Sequence, residues 1–262
     1  MLIIGELING MYSGIAKAIA EKDKAAIQKC ALAQVRAGAE ALDVNCGPAS
    51  ADPVSDMRWL VETIQEVTDN ELSLDSSRPQ SIEAGLRAAK NKVIINSTTA
   101  DPEKLRVLVP LAKKYNAKLI GLAISSKGIP FNLDQRIELA ARIVTYCVEQ
   151  GFNIENLYLD PILMPLNVAQ AQIKDILESI HEFKLISQPS PKTVIGLSNI
   201  SQGAKSRNLI NRSFMVMAMA EGLDCAILNP LDNELMNAVI ASEVILNNKI
   251  YCDSFLNAYG KK

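Results

Sequence analysis

The chain has 262 residues, of which 27 are basic and 29 acidic, so its formal net charge is only −2. This balance gives no electrostatic reason to expect binding to nucleic acid or to an anionic membrane. We expect one domain over residues 1–262, because α/β barrels of about 250 residues commonly form one unit and no Pro-, Gly- or Ser-rich linker interrupts the sequence.

The first residues and the cysteines predict a cytoplasmic protein. Residues 1–6 have no basic start and reach a carboxylate, Glu6, too early for a signal peptide. No apolar run approaches the roughly 18 residues that a membrane span requires. The five cysteines are scattered without a CxxC pair, which indicates neither a disulfide framework nor a zinc site.

Eight short apolar segments are predicted to be buried parallel strands. They lie near residues 2–9, 41–45, 72–76, 93–98, 118–124, 157–162, 193–199 and 225–229. Their continuous apolar character indicates that both faces are covered. We therefore predict a closed (β/α)₈ TIM barrel, and we favour it over an open doubly wound sheet because no GxGxxG follows the first strand and no Walker loop is present.

Helical spacing of apolar residues appears between the strands, for example over residues 57–67 and 137–148. Pro79 and Pro102 are expected in the first turns of helices. Gly151 and Gly222 are expected where helices end.

Carboxylates and amides stand where the apolar segments end. They are Glu6 and Asn9, Asp43 and Asn45, Asp75, Asn96, Asp160, Asn199, and Asn229. Because active sites of TIM barrels lie at the strand C-termini, these side chains predict a site. The single histidine, His181, falls in the predicted helix 173–183, where surface or packing roles are expected, so a histidine-based zinc hydrolase is excluded.

The strand-end groups are better suited to a neutral heteroaromatic ring than to a metal. Asp and Asn oxygens suit magnesium, but magnesium usually accompanies phosphate, and no lysine or glycine-rich cradle lies beside them. We therefore expect no bound metal. A pteridine or purine presents an amino group beside a ring N–H, which a carboxylate accepts bidentately, while Asn both donates and accepts.

A structural alternative is that these Asp and Asn residues cap the following helices. For Asp75 and Asn96, which are expected several residues before the next helix, ligand binding is the favoured reading. For Asn9 and Asn45, loop stabilisation explains the sequence equally well.

The segment 196–207 combines a strand end with a small polar loop and two cations. Lys205 and Arg207 are candidates for an anionic tail of the ligand, while Asn199 would face its ring. For Lys205, a solvated loop charge is the favoured alternative.

Motifs along essentially the whole chain resemble the pterin-binding (β/α)₈ methyltransferases, which move a methyl group between N5 of tetrahydrofolate and the cobalt of a corrinoid protein. The matching segments are residues 2–6 (LIIGE), 41–48 (ALDVNCGP), 74–76 (LDS), 95–98 (INST), 159–161 (LDP), 196–199 (GLSN) and 251–255 (YCDSF). The resemblance is strongest to single-domain methyltetrahydrofolate:corrinoid protein methyltransferases and to the tetrahydrofolate methyltransferases of corrinoid-dependent demethylation.

The resemblance implies roles for individual residues. Asp75, Asn96 and Asp160 would bind the pterin ring, and Asn199 would lie near N5. The folate site would be completed by Gly196, Ser198, Gln202 and Arg207. Asp75, Asp160 and Asn199 would form the catalytic set.

The resemblance also implies tetrahydrofolate or 5-methyltetrahydrofolate as substrate, cobalamin carried by a separate corrinoid protein, and a homodimer. In one respect the sequence departs from the family, which commonly has a basic residue after the Gly-Glu pair, whereas Leu7 follows Glu6 here. We interpret this departure as slightly favouring methylation of tetrahydrofolate in demethylation metabolism.

Because N5 is either the leaving group or the nucleophile in methyl transfer, its reactivity determines which groups the site must supply. A tertiary amine leaves poorly unless N5 gains a proton or a strong hydrogen bond, and Asn199 can donate such a bond but is not acidic enough to supply the proton. In the reverse direction, orienting N5 becomes the main contribution.

Three alternatives remain open from the sequence. One is transfer from methyltetrahydrofolate to a corrinoid iron–sulfur protein in the acetyl-CoA pathway. Another is dihydropteroate synthase, a more distant relative of the same fold, for which only Lys205 and Arg207 are candidates to bind a pyrophosphate. The last is a non-catalytic protein that binds folate or docks a corrinoid protein.

Overall fold

A computed structural model describes residues 1–252 of the chain. Eight parallel strands form a closed barrel in the order of the sequence. Their bounds are β1 Leu2–Asn9, β2 Ala41–Asn45, β3 Glu71–Asp75, β4 Val93–Thr99, β5 Lys118–Leu122, β6 Leu157–Asp160, β7 Lys192–Gly196 and β8 Cys225–Leu228. The predicted (β/α)₈ barrel is confirmed.

Helices follow each strand and cover the outside of the barrel. They are α1 Ser13–Ala20, α2 Lys24–Arg36, α3 Pro53–Gln65, α4 Pro79–Ala88, α5 Pro102–Lys114, α6 Leu133–Glu149, α7 Leu166–Ala169, α8 Ile173–Phe183, α9 Arg207–Ala220 and α10 Asn233–Ile245. Two helices, α1 and α2, stand between β1 and β2, where the barrel needs only one.

The predicted helix signals are confirmed. Pro79 and Pro102 are the first residues of α4 and α5, where a missing N–H costs nothing. Gly151 and Gly222 follow the ends of α6 and α9 with φ of 62° and 90°, values that glycine adopts without steric cost.

Strand register fixes which residues are neighbours at the barrel mouth. Closure comes from β1 pairing with β8, with Leu2 opposite Cys225. At the other end of the strands, Asp75 lies opposite Asn96, and Leu122 lies opposite Asp160.

The lower part of the barrel interior is apolar. Seven of the strands contribute a buried side chain to one cluster, which contains Ile4, Ala41, Ile94, Ile120, Tyr158, Val194 and Cys225. In β3 the corresponding place belongs to Ser73, which is fully buried. This layer closes the bottom of the barrel, so a ligand has access only from the strand C-termini.

Three strands end two or more residues earlier than the sequence predicted, and β3 and β8 end one residue earlier. The run expected to continue β7 to Asn199 stops at Gly196, and Leu197–Asn199 form a 3-10 turn. The prediction for β6 extended to Ile162, but that residue has φ of 67°, which a strand does not accommodate. The prediction for β5 extended to Ile124, whose N–H donates back to the Leu122 carbonyl at 2.7 Å and turns the chain.

Two further observations concern the chain as a whole. Within residues 1–252, no helix is long and apolar enough to cross a membrane. Of the predicted motif at 251–255, residues 253–255 lie outside the described residues.

Candidate functional site

A polar layer lies directly above the apolar floor of the barrel. Side chains of a strand alternate between its two faces, so residues two positions beyond the floor also point inward. We call these residues the rim layer: Glu6, Asp43, Asp75, Asn96, Leu122, Asp160, Gly196 and Ile227. The layer brings together Asp75, Asn96, Asp160 and Gly196, which the resemblance had assigned to the folate site.

Asp75 is the last residue of β3 and is held by a neighbour on β2. The side-chain Nδ2 of Asn45 donates to Asp75 Oδ2 at 2.6 Å, while Asn45 Oδ1 accepts from the Gly47 N–H at 2.7 Å. Burial raises the pKa of Asp75, and the bond from Asn45 offsets part of that increase. Asn45 therefore both stabilises its loop and orients the Asp75 carboxyl.

Asp43 lies deeper than Asp75 and orients Asn96. Its Oδ1 accepts from Ser73 Oγ at 2.7 Å and from Asn96 Nδ2 at 3.1 Å. Only 3% of Asp43 is exposed. Its pKa lies well above the usual range, because of burial first and then the nearby Asp75 charge. One N–H of the Asn96 amide thus bonds to Asp43 and fixes how the amide is turned, so its carbonyl oxygen is available to accept from a ligand.

Asp160 stands at the end of β6 and is tied to its own loop. Its Oδ1 accepts from the Ile162 N–H at 2.7 Å. Burial raises the pKa of Asp160 to about 7, and this one backbone bond offsets only part of the effect. The group therefore changes its charge near neutral pH, which is a frequent property of functional carboxyls.

The turn after β7 carries Asn199 at the mouth. Asn199 is exposed and closes the 3-10 turn Leu197–Asn199. A Cβ added to Gly196 would lie 3.0 Å from Asn199 Nδ2, closer than ordinary contacts, so glycine makes room for this amide. The structure places Gly196 and Asn199 against each other, as a shared site requires.

Ser198 and Arg207 both make contacts within the protein. Ser198 Oγ donates to Glu6 Oε1 at 2.7 Å. Arg207 Nε donates to Ser201 Oγ at 3.1 Å, and Arg207 Nη2 lies 3.4 Å from the Ser198 carbonyl oxygen. Burial raises the pKa of Glu6, and the Ser198 bond and the Arg207 charge offset part of the rise.

Gln202 and Lys205 are exposed in the loop between this turn and α9. The Gln202 N–H donates to the Asn199 carbonyl at 3.1 Å, so its backbone is part of the turn. Their predicted roles toward a ligand stay predictions.

A cavity of about 260 Å³ opens at the mouth beside β1 and β8. Its lining includes Glu6, Leu7, Ser198, Arg207 and Asn229. Leu7, at the position where the resemblance led us to expect a basic residue, lines this cavity with an apolar side chain, and Asp75, Asn96 and Asp160 are not among the residues that line it.

A larger cavity, of about 650 Å³, lies on the outside of the barrel between α3 and α4. Its charged side chains pair within their own helices, Arg58 with Glu62 and Arg87 with Glu83, both at 2.8 Å. It lies outside the barrel, and none of the rim-layer residues lines it, so we place the functional site at the rim layer.

Helix capping does not explain the polar residues of the rim layer. Among residues 1–252, the side chains that cap α-helix N-termini are those of Asp23, Asp52, Asn132 and Asp232. By contrast, Asn9 and Asn229 stabilise loops, since their Oδ1 atoms accept from the Met11 and Leu231 N–H groups. The capping alternative is therefore wrong for Asp75, Asn96 and Asp160.

His181 is exposed on α8, as expected for a surface histidine. Among the described residues there is no group of three or more His, Cys, Asp or Glu side chains that could hold a metal ion. The side chains that line the cavity at the mouth supply carboxyls, amides, the hydroxyls of Tyr12 and Ser198, and the Arg207 guanidinium.

Residues 11–229 match the family described as pterin binding enzyme. The chain belongs to the pterin-binding enzyme family. The resemblance found in the motifs is thereby confirmed, and the acceptor-rich rim layer agrees with it.

Two curated relatives illustrate the breadth of the similarity. The chain is 30% identical over 261 residues to the methylcorrinoid:tetrahydrofolate methyltransferase of Eubacterium limosum, covering 99% of this chain and 96% of that protein. It is 27% identical over 245 residues to the methionine synthase of Mycobacterium tuberculosis, covering 87% of this chain but only 20% of that protein.

Solved structures of dihydropteroate synthases share the fold. The Yersinia pestis enzyme with a pterine-sulfa conjugate superposes with a TM-score of 0.68 at 17% identity, over 95% of this chain and 94% of that chain. The Coxiella burnetii enzyme with pteroic acid gives 0.68 at 14% identity, over 93% of each chain. At such identities the likeness supports the fold only.

Sequence reasoning named Asp43 and Glu6 as strand-end carboxylates but assigned them no role. Both stand two residues beyond a floor residue, Ala41 and Ile4, so strand alternation could have placed them in the rim layer. The partners that they hold, Asn96 and Ser198, depend on side-chain geometry that the sequence does not contain.

Proposed function

We propose that this protein is a methyltransferase that moves a methyl group between N5 of tetrahydrofolate and the cobalt of a corrinoid carried by a partner protein. The observation that carries the proposal is the rim layer, where Asp75, Asn96 and Asp160 present acceptors to one space. A pterin edge supplies the matching amino and ring N–H donors. The near full-length similarity to a methylcorrinoid:tetrahydrofolate methyltransferase supports the same reading.

The favoured direction is methylation of tetrahydrofolate. The N5 lone pair forms a bond to the methyl carbon, the carbon–cobalt bond breaks with its electron pair left on cobalt, and the N5 proton is released. The protein's contribution is to hold the ring by its donor edge and to keep N5 facing out of the barrel.

Asn199 is the proposed donor to N5. In the opposite direction, from methyltetrahydrofolate to cobalt, N5 becomes the leaving group and charge must be stabilised there. A preorganised amide donor is suited to that task, and a water linked to a carboxyl such as Asp160 would bring the proton. The catalytic set is thus Asn199, Asp160 and Asp75, and the remaining contacts to folate come from Asn96, Gly196, Ser198, Gln202 and Arg207.

The synthase alternative is less well supported by the mouth. A pyrophosphate needs free cations, whereas Arg207 already contacts Ser201 and Ser198. Lys205 is exposed in the loop and outside the rim layer. No observation favours this second function over methyl transfer.

An assay of methyl transfer from methylcobalamin to tetrahydrofolate tests the proposal. We expect 5-methyltetrahydrofolate to form with the purified protein, and the surface variant Glu138→Ala to match the wild type. Absence of transfer together with condensation of a pterin pyrophosphate with aminobenzoate would contradict the proposal and support a synthase. Absence of both would leave a binding protein.

The proposal extends to organisation. We propose that residues 1–262 form one cytoplasmic domain, that a separate corrinoid protein docks over the mouth, and that the chain forms a homodimer. The dimer rests on the resemblance alone. Light scattering should give twice the 28.5 kDa mass of one chain, and a value of 28.5 kDa would show the dimer to be wrong.

A further inference from the structure

One side-chain hydrogen bond joins two strand ends that are not neighbours in the barrel. Glu6 belongs to β1, and Ser198 belongs to the turn after β7, while β8 lies between these strands. The Ser198 hydroxyl donates to Glu6 Oε1 at 2.7 Å. The bond therefore passes over the end of β8 and links the turn after β7 to strand β1.

The main chain of Ser198 is held as well. Its carbonyl oxygen lies 3.4 Å from both Ser201 Oγ and Arg207 Nη2. Arg207 in turn donates from Nε to Ser201 Oγ at 3.1 Å, and Ser201 is fully buried. These contacts hold the main chain of the turn at Ser198, and the bond to Glu6 holds the Ser198 side chain.

Asn199, the next residue, depends on this support. Its side chain is exposed, so packing does not set its direction. Its direction comes instead from the backbone of the turn, and the missing Cβ of Gly196 leaves the space that the Asn199 amide needs in this orientation. A turn that loosens would let the amide swing away from the mouth.

We propose that Glu6 is a positioning residue for Asn199, acting through the Ser198 hydroxyl. This inference rests on the proposed function for its kinetic consequence but not for its structural one. Glu6 has no contact with the reacting atoms in this role. What it requires at position 6 is an acceptor for the hydroxyl, so a glutamine amide oxygen is an adequate replacement.

Hydrogen exchange tests the structural part without any substrate. In Glu6→Ala and in Ser198→Ala, amides of residues 197–202 should exchange about tenfold faster than in the wild type, the effect of losing one strong hydrogen bond. Glu6→Gln should exchange like the wild type. Unchanged exchange in both alanine variants, with melting temperatures also unchanged, would overturn the inference.

Kinetics test its consequence. In methyl transfer from 5-methyltetrahydrofolate to cob(I)alamin, Glu6→Ala and Ser198→Ala should each lower kcat about tenfold. In Glu6→Ala, which removes no proposed folate contact, the Kd for folate should stay within about threefold of wild type. The double variant should be no slower than either single one, because both remove the same bond. Glu138→Ala is the matched carboxylate control.

The outcomes separate the two proposals. A wild-type protein without methyl transfer would end the proposed function, while the exchange measurement would still decide the role of Glu6. An active wild type in which Glu6→Gln is as slow as Glu6→Ala would overturn positioning and assign the need to the carboxyl proton or charge. Additive losses in the double variant would also overturn it.

Discussion

The Asn96 side-chain amide donates to Asp43 Oδ1 at 3.1 Å, so a buried carboxyl on β2 sets the orientation of the Asn96 amide on β4. Ser73, on the intervening strand β3, donates a hydrogen bond from its hydroxyl to the same Asp43 oxygen. Without this link the Asn96 amide could rotate and present its NH₂ to the ligand in place of its carbonyl oxygen.

Replacing Asp43 tests this arrangement. Asp43→Ala should raise the Kd for tetrahydrofolate about tenfold, because Asn96 loses the partner that fixes it. Asp43→Asn retains an acceptor and should bind nearly as the wild type does. Isothermal titration of both variants makes the comparison, and equal Kd values for Asp43→Ala and wild type would contradict the role.

Asp75 should contribute mainly to binding. We expect Asp75→Ala to raise the Kd for tetrahydrofolate by about 10- to 100-fold, the usual cost of losing charge-assisted hydrogen bonds, while kcat at saturation falls much less. Asn45→Ala, which removes only the group that orients Asp75, should have a smaller effect. A folate titration beside steady-state kinetics measures both, and an unchanged Kd in Asp75→Ala would place the ring elsewhere.

Asp160 should make folate binding depend on pH. Its pKa is raised to about 7, and only the ionised carboxyl accepts the N–H groups of the ring in a bidentate way. Affinity should therefore rise by up to about tenfold per pH unit as the pH approaches 7 from below, and it should level off above about pH 8. Titrations between pH 5.5 and 8.5 test this; an equally steep dependence in Asp160→Asn would assign it to another group.

The same shift predicts a change in stability. Because the folded pKa lies above the usual value of 3.8, the stabilising contribution is complete below pH 3.8 and is lost as the pH rises through about 7. Asp160→Asn removes the buried charge. Relative to wild type, its free energy of unfolding should therefore improve from pH 5 to pH 8, by up to about 3 kcal/mol. Urea unfolding at the two pH values measures the difference, and no relative gain at pH 8 would contradict it.

Asn199 should contribute mainly to turnover. Asn199→Ala should lower kcat for transfer from methyltetrahydrofolate to cob(I)alamin about 100- to 1000-fold, the range seen when one preorganised donor is removed, and should weaken folate binding far less. Steady-state kinetics and a folate titration separate the two effects. Equal losses in kcat and in affinity would contradict the assigned role.

The fold was largely predictable because each strand is an uninterrupted apolar run. The strand starts at Leu2, Ala41, Val93 and Cys225 agree with the predicted ones. Strand ends were less predictable, because Leu197 and Ile162 are apolar yet lie in a 3-10 turn and at a positive φ. Apolar character indicates burial, and burial alone does not distinguish a strand from a tight turn.

The site was predictable as a set of residues but not as a network. Asp75 and Asn96 were chosen from their places at strand ends and Asp160 from the resemblance. The register places Asp75 opposite Asn96, and strand alternation places all three in the rim layer. The links from Asp43 to Asn96 and from Glu6 to Ser198 join residues far apart in the sequence, and no spacing rule indicates them. The orientation of an amide depends on such links, so it follows from the three-dimensional structure and not from the sequence.

A crystal structure with bound tetrahydrofolate tests the central claim most directly. We predict that the amino and ring N–H groups of the pterin lie about 3 Å from the carboxyls of Asp75 and Asp160, with N5 beside Asn199 and facing the opening of the barrel. A ring bound outside the rim layer, or a ring in that layer with N5 turned toward the apolar floor, would contradict it.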